Sequence, residues 1–319
     1  MTPRHTPGVR GLVCRRPLAA FFVIVFGLGW PVLSVPLLAD RAVIGTGALP
    51  AELFALGVTW FLMLPAALWV TAVSEGPAAA RHLLRRLFQW RLGAWWAMIL
   101  LALPAATLGV GLLLGGSLRT HDVGASLLQG IVLLVTAVLL IHLWEETVWA
   151  GFVQMRLERR HSLVVAALLT AVPFAGIHVP IILIGESDVL SALGGVLVLG
   201  AAMRLLVGVY LRGTGGSLLA AGFVHGVYNA CNNNGALVDG LLQGADQNLA
   251  APIALVVVTA GAAAIHHRSK PGPERRRRHG TGQGGTGRDP GRGHQLADAN
   301  NGGPRAPRAA QPRRTPHHG

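Results

Sequence analysis

Eight apolar windows, which approach or exceed the roughly 20 residues a helix needs to cross a bilayer, constrain this chain more than any other feature. They lie at 18–39, 52–73, 93–115, 124–155, 163–184, 189–211, 215–231 and 250–265. Charged residues make up 13% of the 319 and hydrophobic residues 52%, whereas a soluble domain carries about 25% charge. Backbone immersed in lipid must satisfy its own polar groups, so the windows predict helices. The expected fold class is all-α, a polytopic transmembrane helix bundle of about eight spans. The window 124–155 is longer than one crossing and predicts a tilted helix or one whose end projects from the membrane. The first window is too long and too interrupted by Pro31 and Pro36 for a secretory signal, and it lacks a clear small-residue cleavage site.

The basic residues fall on every second connection. Arg4, Arg10, Arg15 and Arg16 precede the first window, and Arg81, Arg85, Arg86 and Arg91 lie between the second and third. Arg156, Arg159 and Arg160 follow the fourth window, Arg212 follows the sixth, and the tail after Arg268 is strongly basic. The alternate connections carry Asp40, Arg41 and Glu52, then Arg119 and Asp122, then Glu186 and Asp188, then Asp239 and Asp246. This is the positive-inside distribution for eight spans with both termini cytoplasmic; seven or nine spans would break it. The chain therefore divides into a basic cytoplasmic arm (1–17), an eight-span membrane domain (18–266) and a basic cytoplasmic tail (267–319).

The tail carries much of the net charge of +13, holding twelve Lys or Arg from Arg268 onward against Glu274, Asp289 and Asp298. Rich in Gly, Pro and Arg and poor in large apolar residues, it is expected to be disordered. Arg275 to Arg278 suit the anionic inner leaflet, where each charge contributes about 1 kcal/mol. The lipid bilayer is thus the expected partner, and no nucleic acid is expected. Abundant Gly, Ala and Arg with a single Lys suggest a GC-rich bacterial genome, hence a multi-pass protein of the bacterial plasma membrane. Cys14 falls on the arm and Cys231 in a span, so no disulfide is expected.

Away from the window ends the charge-bearing residues at depth are few: His142, Glu145, Glu146, His178, Arg204 and His225. A charge at membrane depth costs about 2.5–3.5 kcal/mol on insertion scales, so adjacent acids at 145 and 146 are a heavy burden. The other twelve of the 14 acidic residues fall in connections or the tail. Such a pair marks chemistry, an ion path or a buried ion pair, and chemistry is the preferred reading. Asn229 lies one helical turn after His225, as Phe174 lies one turn before His178, so each pair shares a face.

Three stretches then stand together: Glu145-Glu146-Thr147-Val148-Trp149-Ala150-Gly151, Phe174-Ala175-Gly176-Ile177-His178 and His225-Gly226-Val227-Tyr228-Asn229. Their order, intervals and placement in the spans resemble the CAAX-protease and bacteriocin-processing family of membrane proteases (CPBP, or Abi). The resemblance covers residues 139–232 and implies a membrane-embedded peptidase acting on a peptide or membrane-protein substrate. By that resemblance the catalytic residues are Glu145, Glu146, His178, His225 and Asn229. Glu145 is the general base, His178 its partner in positioning water, and His225 with Asn229 the donors to the oxyanion. Glu146, about 100° around the helix from Glu145, suits a structural or orienting role.

Ala150 departs from the pattern, because the family carries Arg there. Glu146 then needs another partner: His142 one turn away is the expected one, with Arg204 or protonation of a buried Glu146 as alternatives. No cofactor is expected, and zinc is the alternative: Glu145, His178 and His225 would supply a two-His, one-carboxylate set, although His-Glu-x-x-His is absent. The enzyme is thus glutamate-type or metallo-type. Two other functions compete: a non-catalytic scaffold or bacteriocin-immunity protein that keeps the fold, and a proton- or ion-coupled transporter. The compact polar set on three spans argues against a transport path.

Overall fold

The structure is a computed structural model describing residues 8–268, apart from 46, 48, 185–187, 233–236, 239, 245 and 246. The basic tail from 269 onward, Arg4, Glu186, Asn233, Asn234, Asp239 and Asp246 lie outside the described residues.

The described chain is a helical bundle. Its helices are α1 (Val9–Arg15), α2 (Pro17–Asp40), α3 (Ala51–Glu75), α4 (Pro77–Arg85), α5 (Trp95–Leu113), α6 (Val123–Glu158), α7 (Leu163–Ile182), α8 (Val189–Gly213), α9 (Leu218–Asn232) and α10 (Gln247–Arg268). Two-residue strands β1 (Ser117–Leu118) and β2 (Leu242–Gln243) pair antiparallel and tie together two connections. The bundle expected from the apolar windows is present, with a difference in length. Among the described residues six helices, α2, α3 and α5 to α8, are long and apolar enough to cross a membrane. The apolar stretch of α10 is shorter, Leu249–Ile265.

Helix α9, expected as span seven over 215–231, has only 15 residues, about 22 Å of helix against a hydrocarbon core of about 30 Å. It has no need to span by itself, because α5, α6, α8 and α10 all pack against it. Eleven of its 15 residues are buried. A helix enclosed in protein is freed from the length requirement of one facing lipid.

Small residues set the close approaches, as expected where lipid removes the hydrophobic drive between helices. A Cβ at Gly222 of α9 would lie 3.0 Å from the Leu143 Cα of α6. A Cβ at Gly226, one turn on, would run into Val138 Cγ2 and come within 3.2 Å of His142 Cδ2. These two glycines hold α9 against the part of α6 that carries the acids. At Pro180 the lost backbone bond is compensated by a side chain. Pro180 cannot donate to the carbonyl of Gly176, and Trp30 Nε1 of α2 donates to that oxygen instead, at 3.0 Å.

The basic connections gather at one end of the bundle. There Arg86 Nε donates to the carbonyl of Gly216, Ser217 Oγ to that of Gln89, Arg212 to Glu158, and Arg159 to Glu75. Burial lowers the Arg86 guanidinium pKa to about 10, which leaves it charged at neutral pH. Within the expected arm, α1 packs on the second half of α3 and buries Val13. Cys14 and Cys231 are both free thiols, one exposed and one buried.

Candidate active site

Helix α6 is irregular where it matters. One regular turn, Leu143–Glu146, sits between π-helical segments Val138–His142 and Thr147–Gln154. Wide turns of this kind are costly and concentrate at functional positions. Two indoles brace the first: Trp144 Nε1 donates to the carbonyl of Leu139, and Trp60 Nε1 of α3 to that of Leu140, both at 2.7 Å. The two rings pack with centroids 4.6 Å apart.

Adjacent residues on a helix point about 100° apart, and the two acids take different surroundings. Glu146 is fully buried and faces α8. Arg204 Nη1 donates to Glu146 Oε2 at 2.8 Å, and Arg204 Nη2 donates to Oε1, a two-pronged contact between side chains that are both 0% exposed. His225 Nδ1 of α9 donates to the same Oε1 at 2.8 Å. Arg204 is itself held: its guanidinium stacks 4.7 Å over the Phe174 ring, and Gln154 Nε2 donates to its carbonyl at 3.0 Å. The expected pairing of Glu146 with His142 is therefore corrected. Its partners are Arg204 and His225, because the acid projects toward α8 and α9, away from the preceding turn of its own helix.

His142 serves Glu145 instead. Its Nδ1 lies 3.6 Å from Glu145 Oε2, and His225 Nδ1 lies 3.9 Å from the same oxygen. The two imidazoles pack with centroids 4.4 Å apart and planes tilted by 33°. Asn229 Nδ2 donates to His142 Nε2 at 3.3 Å. The ligating atoms of His142, Glu145 and His225 all fall within 4.8 Å of one another, so these three are the described residues that could hold a metal ion. The expected ligand set is corrected on this point, with His142 standing where His178 was expected.

His178 sits apart from that trio. Its Nδ1 donates to the Phe174 carbonyl of its own helix at 2.6 Å, and its ring lies 4.7 Å from the Phe174 ring. That bond consumes the Nδ1 proton, so Nε2 of the neutral ring is an acceptor. The carbonyl it takes is one turn away; the carbonyl freed by Pro180 goes to Trp30, so His178 is not a filler for a proline kink.

Two cavities border these residues. One of about 20 Å³ is lined by Glu145, His178, Trp149, Thr59 and Met63, which is room for a single water. The other, about 320 Å³, is lined by His225, Asn229, Tyr228 and His178 together with apolar residues including Phe174 and Met203. His178 borders both. Sequence reasoning did not single out Gln154, which is fully buried; an amide in the apolar run after Glu146 was the available signal.

Comparison with curated proteins gave no match for the chain. A family model does match: residues 126–231, the segment from α6 to α9 that carries all three motifs, fit the Rce1-like family, described as Type II CAAX prenyl endopeptidase Rce1-like. The resemblance to the CAAX-protease family is therefore shown over residues 126–231, the part of the chain that builds this site.

Proposed function

We propose that this multi-pass membrane protein is an intramembrane endopeptidase of the CAAX type. The observation that carries the reading is the small cavity between Glu145 and His178, within the segment that fits the family. In this mechanism a water in that cavity gives a proton to the Glu145 carboxylate while His178 Nε2 accepts from its second hydrogen. The oxygen bonds to the substrate carbonyl carbon, and the carbonyl oxygen becomes an oxyanion. Asn229 has a second amide hydrogen beyond the one directed at His142, and it donates to that oxyanion; His225, whose Nδ1–H is directed at Glu146, adds an Nε2–H donor there as the imidazolium. Collapse breaks the C–N bond, and the proton held by Glu145 passes to the departing amine.

Glu146 is a positioning residue in this reading. By accepting the Nδ1–H of His225 while held by Arg204, it sets the tautomer and tilt of the ring that faces substrate. The larger cavity suits an apolar peptide segment entering from the membrane, with residues 18–266 as the protease domain and the plasma membrane of a bacterium as its location. A metal bound by His142, Glu145 and His225 would act as a Lewis acid on the water or carbonyl; the hydrolytic roles above do not require it.

The test compares full-length protein with Glu145→Gln at equal abundance, reading new peptide termini in membrane and secreted fractions. Termini present only with wild type support the protease. Identical profiles across growth conditions refute it in favour of a non-catalytic scaffold. A chelator that abolishes wild-type cleavage, with recovery on added zinc, assigns the metallo-type.

A further inference from the structure

At the basic end of the bundle a cavity of about 440 Å³ opens where four span termini meet. It is bounded by the start of α2, the end of α3, the end of α6 and the connection into α7. Five guanidiniums line it, Arg15, Arg16, Arg156, Arg159 and Arg160, against one carboxylate, Glu75. Glu75 bridges Arg156 at 2.5 Å and Arg159 at 2.9 Å, so the one acid among the described residues of the wall is engaged by two of its cations.

The wall is built. The Arg156 side chain is 8% exposed, its Nη1 donates to the Phe152 carbonyl and its Nη2 to Thr71 Oγ1, while its buried Nε has no hydrogen-bond partner among the described residues. Helix α2 begins at this cavity with no side-chain cap, and Pro17, Leu18 and Ala19 form part of the lining. The amides of its first turn add to the positive field of the 24-residue helix. A surplus of about four positive charges, uncapped amides and a concave shape select an anion. The span ends place the cavity at headgroup depth, where basic pockets between helices take anionic lipid headgroups.

We propose that this cavity binds a phosphate ester, the headgroup of an acidic phospholipid, which bridges the ends of α2, α3 and α6 and ties the amino-terminal part of the bundle to the helix carrying Glu145. The proposal is independent of the hydrolytic reading.

The test uses full-length protein in mixed micelles of phosphatidylglycerol and phosphatidylcholine, with bound lipid counted by native mass spectrometry. Two variants remove equal charge from exposed arginines: Arg16→Gln/Arg160→Gln in the cavity wall, and Arg81→Gln/Arg85→Gln outside it. Wild type is expected to retain phosphatidylglycerol over phosphatidylcholine. The wall variant should bind it roughly 10- to 30-fold more weakly, and the outside variant like wild type. If the wall variant unfolds, Arg160→Gln alone is read the same way. If millimolar inorganic phosphate raises the Tm of delipidated wild type but not of the wall variant, and phosphatidylglycerol shows no preference, the site is one for free phosphate and the lipid source is rejected. Retention unchanged in the wall variant, or lost equally in both variants, overturns the proposal, since bulk charge rather than the cavity would then hold the lipid.

Discussion

Replacing Arg204 with Met tests the ion pair at the centre of the site. Arg204 and Glu146 are both 0% exposed and meet through two hydrogen bonds. Removing one partner of a buried pair leaves an uncompensated charge and costs about 3–5 kcal/mol. For a chain of this size that corresponds to a drop in Tm on the order of 10 °C. The cost arises from stranding Glu146, so Glu146→Gln/Arg204→Met should recover much of it: the double variant must be more stable than the sum of the singles implies. Activity should not recover with it, because His225 would no longer be oriented by a carboxylate. The assay is thermal unfolding in detergent for the four corners of the cycle, with peptide cleavage measured on the same preparations. An Arg204→Met protein within about 0.5 kcal/mol of wild type, or additive singles, would refute the reasoning.

Three further outcomes are expected. Gly226→Ala places a methyl against Val138 and His142 and should cost about 1–3 kcal/mol by overpacking, with cleavage lost at temperatures where the fold persists; thermal scans and activity on one sample separate the two. Trp30→Phe removes the donor to the Gly176 carbonyl left free by Pro180 and should cost about 1–3 kcal/mol, measured as an earlier unfolding midpoint, whereas Trp90→Phe, whose exposed side chain has no such partner to lose, serves as the unaffected control. His142→Leu should reduce kcat through Glu145 while leaving stability well above that of Arg204→Met, since Glu146 keeps both partners; equal destabilisation would restore His142 to a role beside Glu146.

Much of the fold was legible because lipid imposes few solutions. Windows of apolar residues predicted every long helix, and the alternation of Arg-bearing connections foreshadowed the basic end where Arg86, Arg159 and Arg212 gather. Helix α9 was also expected, over 215–231, and its enclosure by four other helices accounts for a length below that of a lipid-facing span. The same enclosure rests on Gly222 and Gly226, which read as ordinary small residues until the neighbouring helix is placed 3.0 Å from a hypothetical Cβ.

What the sequence by itself determined was the inventory: helices in a bilayer, two acids and three histidines at depth, and the one-turn spacings that put Asn229 with His225 and Phe174 with His178. Those follow from local periodicity and the cost of burying charge. Which acid meets which partner was decided only by tertiary structure. Spacing of three or four residues lets His142 reach either Glu145 or Glu146, and the π-helical segments at 138–142 and 147–154 shift the helical phase that would have separated them. Arg204 lies 58 residues from Glu146, on a helix whose rotation is set by packing against Phe174 and Gln154. No local rule carries that information, because it arises when α6, α8 and α9 close around a charge that none of them can bury alone.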